Sequence, residues 1–361
     1  MPSYTWEARL NGTTTLTNIQ TVNVTLGRTY NTDPFRGSTA VITGRGYTTP
    51  PSISVGQYVQ LVALNGATEV WSYAFYVVDF AFNYGIVPSE DTWTLTVNDS
   101  LGQAGRATVT GSWISNTQSG AALSNTAALA NISIDLYIGA TNGTAYLSAQ
   151  SFTNENCLTI LNKIITTEQG YLTGAAFDDL NGRIEWAPRG DNGPFPICEF
   201  TDTTPVVSSI ANKYNTLEVA GLQGNYATKV IASPSGLAAQ SAGTGYKVWE
   251  FETYDVSTAQ ALTTATTALA RLSTATVIPV TLSCITENQT NDAALAACFP
   301  FKGINIAFRG SQYTCNVEGG TISSSPMSTT LTYNLTLYPI TRFSFTLNSS
   351  YYGVLDTSKL G

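Results

Sequence analysis

The chain has 361 residues, a formal net charge of −8 and no histidine. The missing imidazole excludes Ser-His-Asp and Cys-His catalysis and every metal site that needs His. Sixteen Lys and Arg against 24 Asp and Glu make a poor nucleic-acid binder, because that affinity comes largely from neutralising phosphates.

Charged residues are only 11% of the chain, while hydrophobic residues are 43%. Disorder needs the opposite balance, so a sizeable core is expected. At about 150 residues per domain, the length predicts two or three folding units. The N-terminus, MPSYTWEARLNGTTT, has neither a basic region nor an apolar core, so no secretory signal is read and folding in a cytosol is expected. No run reaches the ~20 apolar residues of a membrane helix.

Strand signals open the chain. Residues 19–26 alternate Ile19, Val22, Val24 and Leu26 with polar partners, with one shift of phase near Thr21. Residues 39–43 and 58–64 are short, apolar and β-branched. Asn65-Gly66 then sits between two such runs and predicts a tight hairpin, since both residues tolerate positive φ. Residues 92–98 place Trp93, Leu95 and Val97 on one face, the mark of a half-buried strand. Residues 1–115 therefore predict a meander or barrel of about six strands.

The middle changes period. Residues 151–170 predict a helix with Asn154 as N-cap, Leu158, Leu161, Ile164 and Ile165 on one face, and Gly170 as its left-handed stop. A hairpin turning at Asn181-Gly182 follows, and the Pro- and Gly-rich stretch 190–205 marks a boundary. The β pattern resumes at 212. A second helix is predicted over 257–272, opened by a Ser257–Gln260 capping box. Its expected apolar stripe is Ala261, Leu262, Ala265, Leu269 and Leu272. Strands are expected at 276–286, 303–308, 313–318 and 328–338.

Few residues suggest chemistry. Cys157, Cys198, Cys284, Cys298 and Cys315 are widely spaced with no C-x-x-C pair, so buried free thiols are expected. The N-x-[ST] triplets at Asn11, Asn23 and Asn334 follow from an Asn- and Thr-rich composition. Glu168, Asp178, Asp179 and Glu185 form the densest acidic group. It admits a paired-carboxylate or cation site, but these positions read better as solvated turns and a helix end. Gly27-Arg28, Arg36-Gly37 and Gly44-Arg45-Gly46 match no phosphate-loop pattern and read as turns and a strand edge. The 19 Tyr and 6 Trp favour cores and interfaces over sugar stacking. A charge-poor surface rich in Ser, Thr and Asn suits a subunit locked in an assembly, where burying charge is costly.

Four segments, in order, resemble the minor tail proteins of tailed bacteriophages. They are VNVTLGRTYNTDPFRGSTAVITGRG (22–46), the helix ending Glu168-Gln169-Gly170 with FDDLNGRIEWAPR (177–189), NKYNTLEV (212–219) and YYGVLDTSKLG (351–361). The resemblance implies a tail hub of the baseplate or tail tip. It implies a mainly β chain with a few helices (α+β), built as two tube-protein-like β-barrels with smaller inserted domains. The implied division is 1–115 first barrel, 116–205 helix-plus-hairpin insert, 206–345 second barrel with the 257–272 helix, and 346–361 tail. Three chains would form a ring of six barrels continuing the tail tube.

The implied partners are further copies of the chain, the tail tube or distal tail protein, the tape measure protein and tail fibre or tip proteins. DNA would pass only transiently. The implied location is the virion tail tip, after assembly in the host cytoplasm. The resemblance brings no catalytic, cofactor-binding or metal residues, and no enzyme activity or cofactor is expected. A fused wall-degrading domain is not expected either, since the chain stops after LDTSKLG. The alternative readings are a receptor- or carbohydrate-binding tail protein, a carboxylate-dependent wall or capsule hydrolase, and a cellular adhesin.

Overall fold

The computed structural model describes residues 4–337, apart from 13, 31, 47–50, 137–142, 175–182, 188–198, 202–210, 214–216, 222–225, 274–276, 287–294, 296–298 and 301. Seven strands build an N-terminal unit: β1 (Thr5–Leu10), β2 (Thr14–Leu16), β3 (Ile19–Gly27), β4 (Thr39–Arg45), β5 (Tyr58–Asn65), β6 (Thr68–Asn83) and β7 (Thr92–Asn98). A first insert follows with α1 (Ser100–Ala104), β8 (Thr108–Trp113), β9 (Thr117–Gln118), α2 (Ser119–Leu129), β10 (Ile134–Leu136), β11 (Tyr146–Leu147), β12 (Gln150–Asn156), α3 (Cys157–Glu168), β13 (Tyr171–Thr173) and β14 (Ile184–Ala187). A second β unit starts with β15 (Glu199–Thr201), β16 (Ala211–Lys213) and β17 (Glu218–Ala220). It is interrupted by a second insert, β18 (Lys229–Pro234), β19 (Gln240–Gly243), β20 (Val248–Thr253) and α4 (Thr258–Leu272). It resumes with β21 (Thr281–Ile285), β22 (Gly303–Phe308), β23 (Ser311–Ser324) and β24 (Thr329–Leu337). The fold is mainly β with four helices, as the sequence predicts.

The two β units share one sheet. Its order is β2-β1-β5-β6-β7-β4-β3-β23-β22-β15-β16, with β24 on the other edge of β23, then β21 and β17. Among the described residues no strand pairing closes either unit into a barrel. The join lies in β23. Its first half pairs with β22, and after a bulge at Val317/Gly319 its second half pairs with β3 on the same edge. One core fills both units, from Trp6, Trp71 and Trp93 in the first to Phe200, Leu282 and Tyr333 in the second. Phe299 of the second unit stacks on Trp71 and Tyr73 of the first, with ring centroids 5.7 and 5.9 Å apart.

Several predicted details are met by different means. The phase shift near Thr21 is a bulge between Ile19 and Thr21. The Asn65-Gly66 hairpin forms one residue later, because Asn65 pairs with Thr68 and leaves Gly66-Ala67 as the loop. The predicted helix start is corrected: residues 150–156 form β12, and Asn156, not Asn154, caps α3 by accepting from Thr159 N at 3.0 Å. Asn154 instead sits at φ +54° within the strand irregularity. At the other end Gln169, not Gly170, takes the left-handed conformation, at φ +57°. Gly170 serves a close approach, since a Cβ there would lie 2.3 Å from Ala187 O. The Asn181-Gly182 turn falls outside the described residues, as does the 190–205 boundary stretch except for Glu199–Thr201, which form β15.

Two smaller cores complete the fold. The first insert packs α2 and α3 around Leu123, Ile160 and Trp186, and takes in Phe35 from the first unit and Tyr254 from the second insert. The second insert packs α4 on the three-stranded sheet β19-β18-β20. Ser257 caps α4 through Gln260 N, but the Gln260 side chain accepts from Val256 N rather than closing back on Ser257. The buried stripe is Ala261, Ala265, Ala268 and Leu272, with Thr264. The stripe expected from sequence is corrected at Leu262, which is exposed.

Candidate functional site

The most extended feature is one face of the shared sheet. Alternation sends Val22, Val24, Ala40, Ile42, Leu95, Ile322 and Leu331 into the core. Their neighbours then face outward. The register aligns these outward residues in rows that cross both units. One row runs Ser283, Thr332, Thr321, Thr25 and Thr39 over β21, β24, β23, β3 and β4. The next runs Ile285, Thr330, Ser323, Asn23, Val41 and Thr96. A third joins Thr21, Thr43 and Thr94. Side chains bond across strands on this face: Thr21 and Thr43 hydroxyls lie 2.6 Å apart, Ser323 Oγ donates to Asn23 Oδ1 at 2.9 Å, and Ser283 and Thr332 hydroxyls lie 3.1 Å apart. Charge enters these rows at their margins, with Asp79 beyond Thr96 and Glu218 beside Ser283, and Arg45 pairs with Thr92 one step outside them. Threonine serves both needs here, since its branched Cβ suits a strand and its hydroxyl suits a wet face.

The β3–β23 junction keeps this face continuous. Gly27 and Gly319 are opposite one another. A Cβ on Gly27 would lie 2.3 Å from Glu318 O, and one on Gly319 would lie 2.2 Å from Leu26 O. Beside them Arg28 Nε donates to Glu318 Oε2 at 2.7 Å, and both side chains are buried. The Arg28 guanidinium also donates to Asp33 O and lies 4.0 Å above the Phe35 ring. Arg36 Nε donates to Gly27 O at 3.0 Å. The Gly-Arg region read as turns and a strand edge is thus corrected in part. Arg28 ties the two units together across 290 positions of sequence, a contact with no local sequence signal, while Arg36 bonds within the first unit. At Gly44 the reason is packing, because a Cβ there would lie 2.3 Å from the buried Trp93 ring.

The acidic group does not assemble as a site. Asp178 and Asp179 fall outside the described residues. Glu168, read as a solvated helix end, is fully buried. It accepts from Ser119 Oγ at 2.7 Å, Thr144 N at 3.0 Å, Thr144 Oγ1 at 2.9 Å and Ala145 N at 2.7 Å. These donors tie α3 to the 143–145 segment, and a buried carboxylate needs such donors. Glu185 lies half-buried on β14, which pairs with β10 and β13.

Sequence reasoning passed over a second buried carboxylate. Asp99 caps α1 by accepting from Gly102 N at 2.8 Å, and also accepts from Ser38 N at 2.8 Å and Tyr73 OH at 3.3 Å. Burial raises its pKa to about 6, against the lowering effect of these donors. An Asp followed by a helix start was the available signal.

Cys157, Cys284 and Cys315 are free and buried, as expected. Burial pushes the Cys157 thiol up to about 11 and Cys315 to about 12, which makes them inert. Cys198 and Cys298 fall outside the described residues. Among the described residues no three His, Cys, Asp or Glu side chains come together to hold a metal. No described helix is long and apolar enough to cross a membrane.

A cleft of about 470 Å³ opens between α3, the 32–35 loop and the second insert. Its walls include Asp33, Phe35, Thr159, Asn162, Lys163, Thr166, Gln169, Trp249, Glu250, Glu252 and Arg271. Asn162 fixes one wall: its side chain accepts from Phe35 N at 2.8 Å and donates to Phe35 O at 2.9 Å. Lys163 and Glu252 pair across the cleft at 2.5 Å. The tryptophans lie mostly in the core. Trp6, Trp71, Trp93, Trp113 and Trp186 are buried, while Trp249 on β20 stays partly exposed at this cleft.

No family model matches the sequence, and no curated protein matches it. Solved structures do match its fold. A tail protein from Neisseria meningitidis MC58 superposes with a TM-score of 0.63 at 12% identity, covering 94% of this chain and 98% of its own. The 43 kDa tail protein of prophage MuSo2 from Shewanella oneidensis gives 0.60 at 11% identity, covering 92% and 98%. The E. coli c3393 protein, a type VI secretion component described as similar to the T4 phage tail proteins gp27 and gp5, gives 0.56 at 13% identity, covering 92% and 77%. Over nearly its whole length the chain has the fold of these tail and secretion-system proteins.

Proposed function

We propose that this chain is a structural protein of a phage tail tip or baseplate, and that its uncharged sheet face lines the channel through which DNA leaves. The observation that carries this reading is the row of Ser and Thr, from Ser283 to Thr39, that crosses both β units. In this reading the two units are the two tube-type barrels of each chain. Three chains close a six-lobed hub ring between the tail tube and the tip. The inserts face outward, towards tape measure, distal tail, fibre or tip proteins. DNA carries one charge per about 1.7 Å of its axis, and each Lys or Arg that neutralises a phosphate adds binding. A wall of hydroxyls without basic residues withholds that term, so the genome slides without sticking.

End-on class averages of the purified protein, with native mass on the same sample, test the ring. The expected result is three chains, six lobes and an open channel. A defined oligomer of any other symmetry contradicts it.

A further inference from the structure

The cleft between α3 and the second insert carries an inference independent of the channel. We propose that it binds a neutral saccharide segment, with Trp249 as the stacking platform.

Five of the six tryptophans are buried, and Trp249 is half-buried against the core of the second insert. Trp249 lines the cleft beside Phe251, with their ring centroids 4.3 Å apart. An aromatic pair at a cleft wall suits a ring that is apolar on one side and hydroxylated at its rim. Around it the cleft offers hydroxyls from Thr32, Thr159 and Thr166, and planar carboxylates from Asp33 and Glu250. These are donors and acceptors for sugar hydroxyls.

The charge balance selects a neutral ligand. Three cations line the cleft, Arg28, Lys163 and Arg271, against three anions, Asp33, Glu250 and Glu252. Arg28 is already paired with Glu318 and Lys163 with Glu252, so a phosphate or sulfate finds no cluster of spare cations. The volume of about 470 Å³ falls in the range of small-molecule sites.

The site is also held in shape before any ligand arrives. The Asn162–Phe35 amide pair fixes one wall, and Phe35 is pinned from beneath by Arg28. At the mouth Gln169 is held at φ +57°, with its side chain donating to Thr166 O at 2.5 Å and accepting from Arg271 at 3.5 Å. That left-handed residue ends α3, and it sits at the rim of the cleft. A preset cleft loses less ordering entropy on binding.

The test is calorimetric titration of the full chain with three neutral tetramers: β-1,4-linked N-acetylglucosamine, β-1,4-linked glucose and α-1,4-linked glucose. At least one is expected to bind with a Kd below 10 mM. Trp249→Ala should weaken it by about tenfold and Trp249→Phe by less, with far-UV circular dichroism unchanged. Tyr246→Ala, at a fully exposed position away from the cleft lining, should leave the affinity unchanged. The proposal is overturned if no tetramer binds, if both Trp249 variants bind like the parent, or if only a sulfated tetramer or a peptide is retained. None of these outcomes bears on the ring.

Discussion

The junction of the two β units and the second insert are built from opposite materials. The junction joins large aromatics, a buried ion pair and glycines chosen for backbone contact: Trp71, Tyr73 and Phe299, Arg28 with Glu318, and Gly27 with Gly319. The insert is held by Ala227, Ala232, Ala261, Ala265 and Ala268 with Val230 and Leu272. Buried side-chain volume sets the dispersion and transfer energy of a core. The junction therefore fixes one rigid wall, while the insert is a lightly held module that can open on its own. The difference matches the two proposed roles. A channel wall must not deform as DNA passes, and a binding module at the periphery needs less.

The largest expected effect lies at the junction. Arg28→Met leaves Glu318 buried and unpaired, which should cost about 3–5 kcal/mol. Urea denaturation should show the loss, and hydrogen exchange should show β3 and β23 losing protection together. If only the neighbouring loop loses protection, the two units are not one cooperative wall.

Asp99 comes next and is read through pH. Its folded pKa, near 6, lies above the ordinary carboxylate value of 3.8. Folding therefore favours the protonated form, and ionisation at pH 7 costs about 3 kcal/mol. That loss is complete above pH 6 and is recovered as pH falls from about 6 to about 4. Comparing denaturation midpoints at pH 7 and 4.5, the parent should gain stability from this group and Asp99→Asn should lack that gain. An equal pH response in both proteins would remove Asp99 from the account.

In the insert, Ala265→Leu should overpack α4 against its sheet and cost about 1–3 kcal/mol. Its exchange signature should stay within residues 226–272, in contrast to Arg28→Met. Ser257→Ala removes the α4 cap bond to Gln260 N and should cost about 1 kcal/mol, again locally. The smallest effect on stability is expected from Thr25→Lys with Thr94→Lys and Thr332→Lys. Such surface changes usually stay within about 0.5 kcal/mol each. They should nevertheless slow DNA release from virions, measured by dye uptake, and unchanged release would argue against a channel wall.

The legible parts of the fold are those with period-two patterns. β7 and β22 fall on 92–98 and 303–308 as predicted, and β3, β4, β5 and β24 within two residues. In β3, β7 and β24 one face is apolar and the other is mostly Thr or Asn, so alternation is plain there. α2 escaped because its sequence, SGAALSNTAAL, is small and nearly uniform around the helix. The sheet of the second insert escaped because its strands are only four to six residues long and Ala232 and Ala242 stand at packed positions, and alanine carries little hydrophobic signal. The junction was invisible for another reason. Arg28 and Glu318 each look like ordinary charged residues near turns, and only the bulge in β23 brings them together. The hydroxyl face was half legible: each strand showed its polar side, but the rows need the register.

The most direct test of the channel assignment is a three-dimensional reconstruction of the assembled ring at side-chain resolution. The account predicts that Thr25, Thr94, Thr321 and Thr332 face the central axis, with both inserts outside the wall. A map that turns this face outward, or buries it against a neighbouring chain, contradicts it.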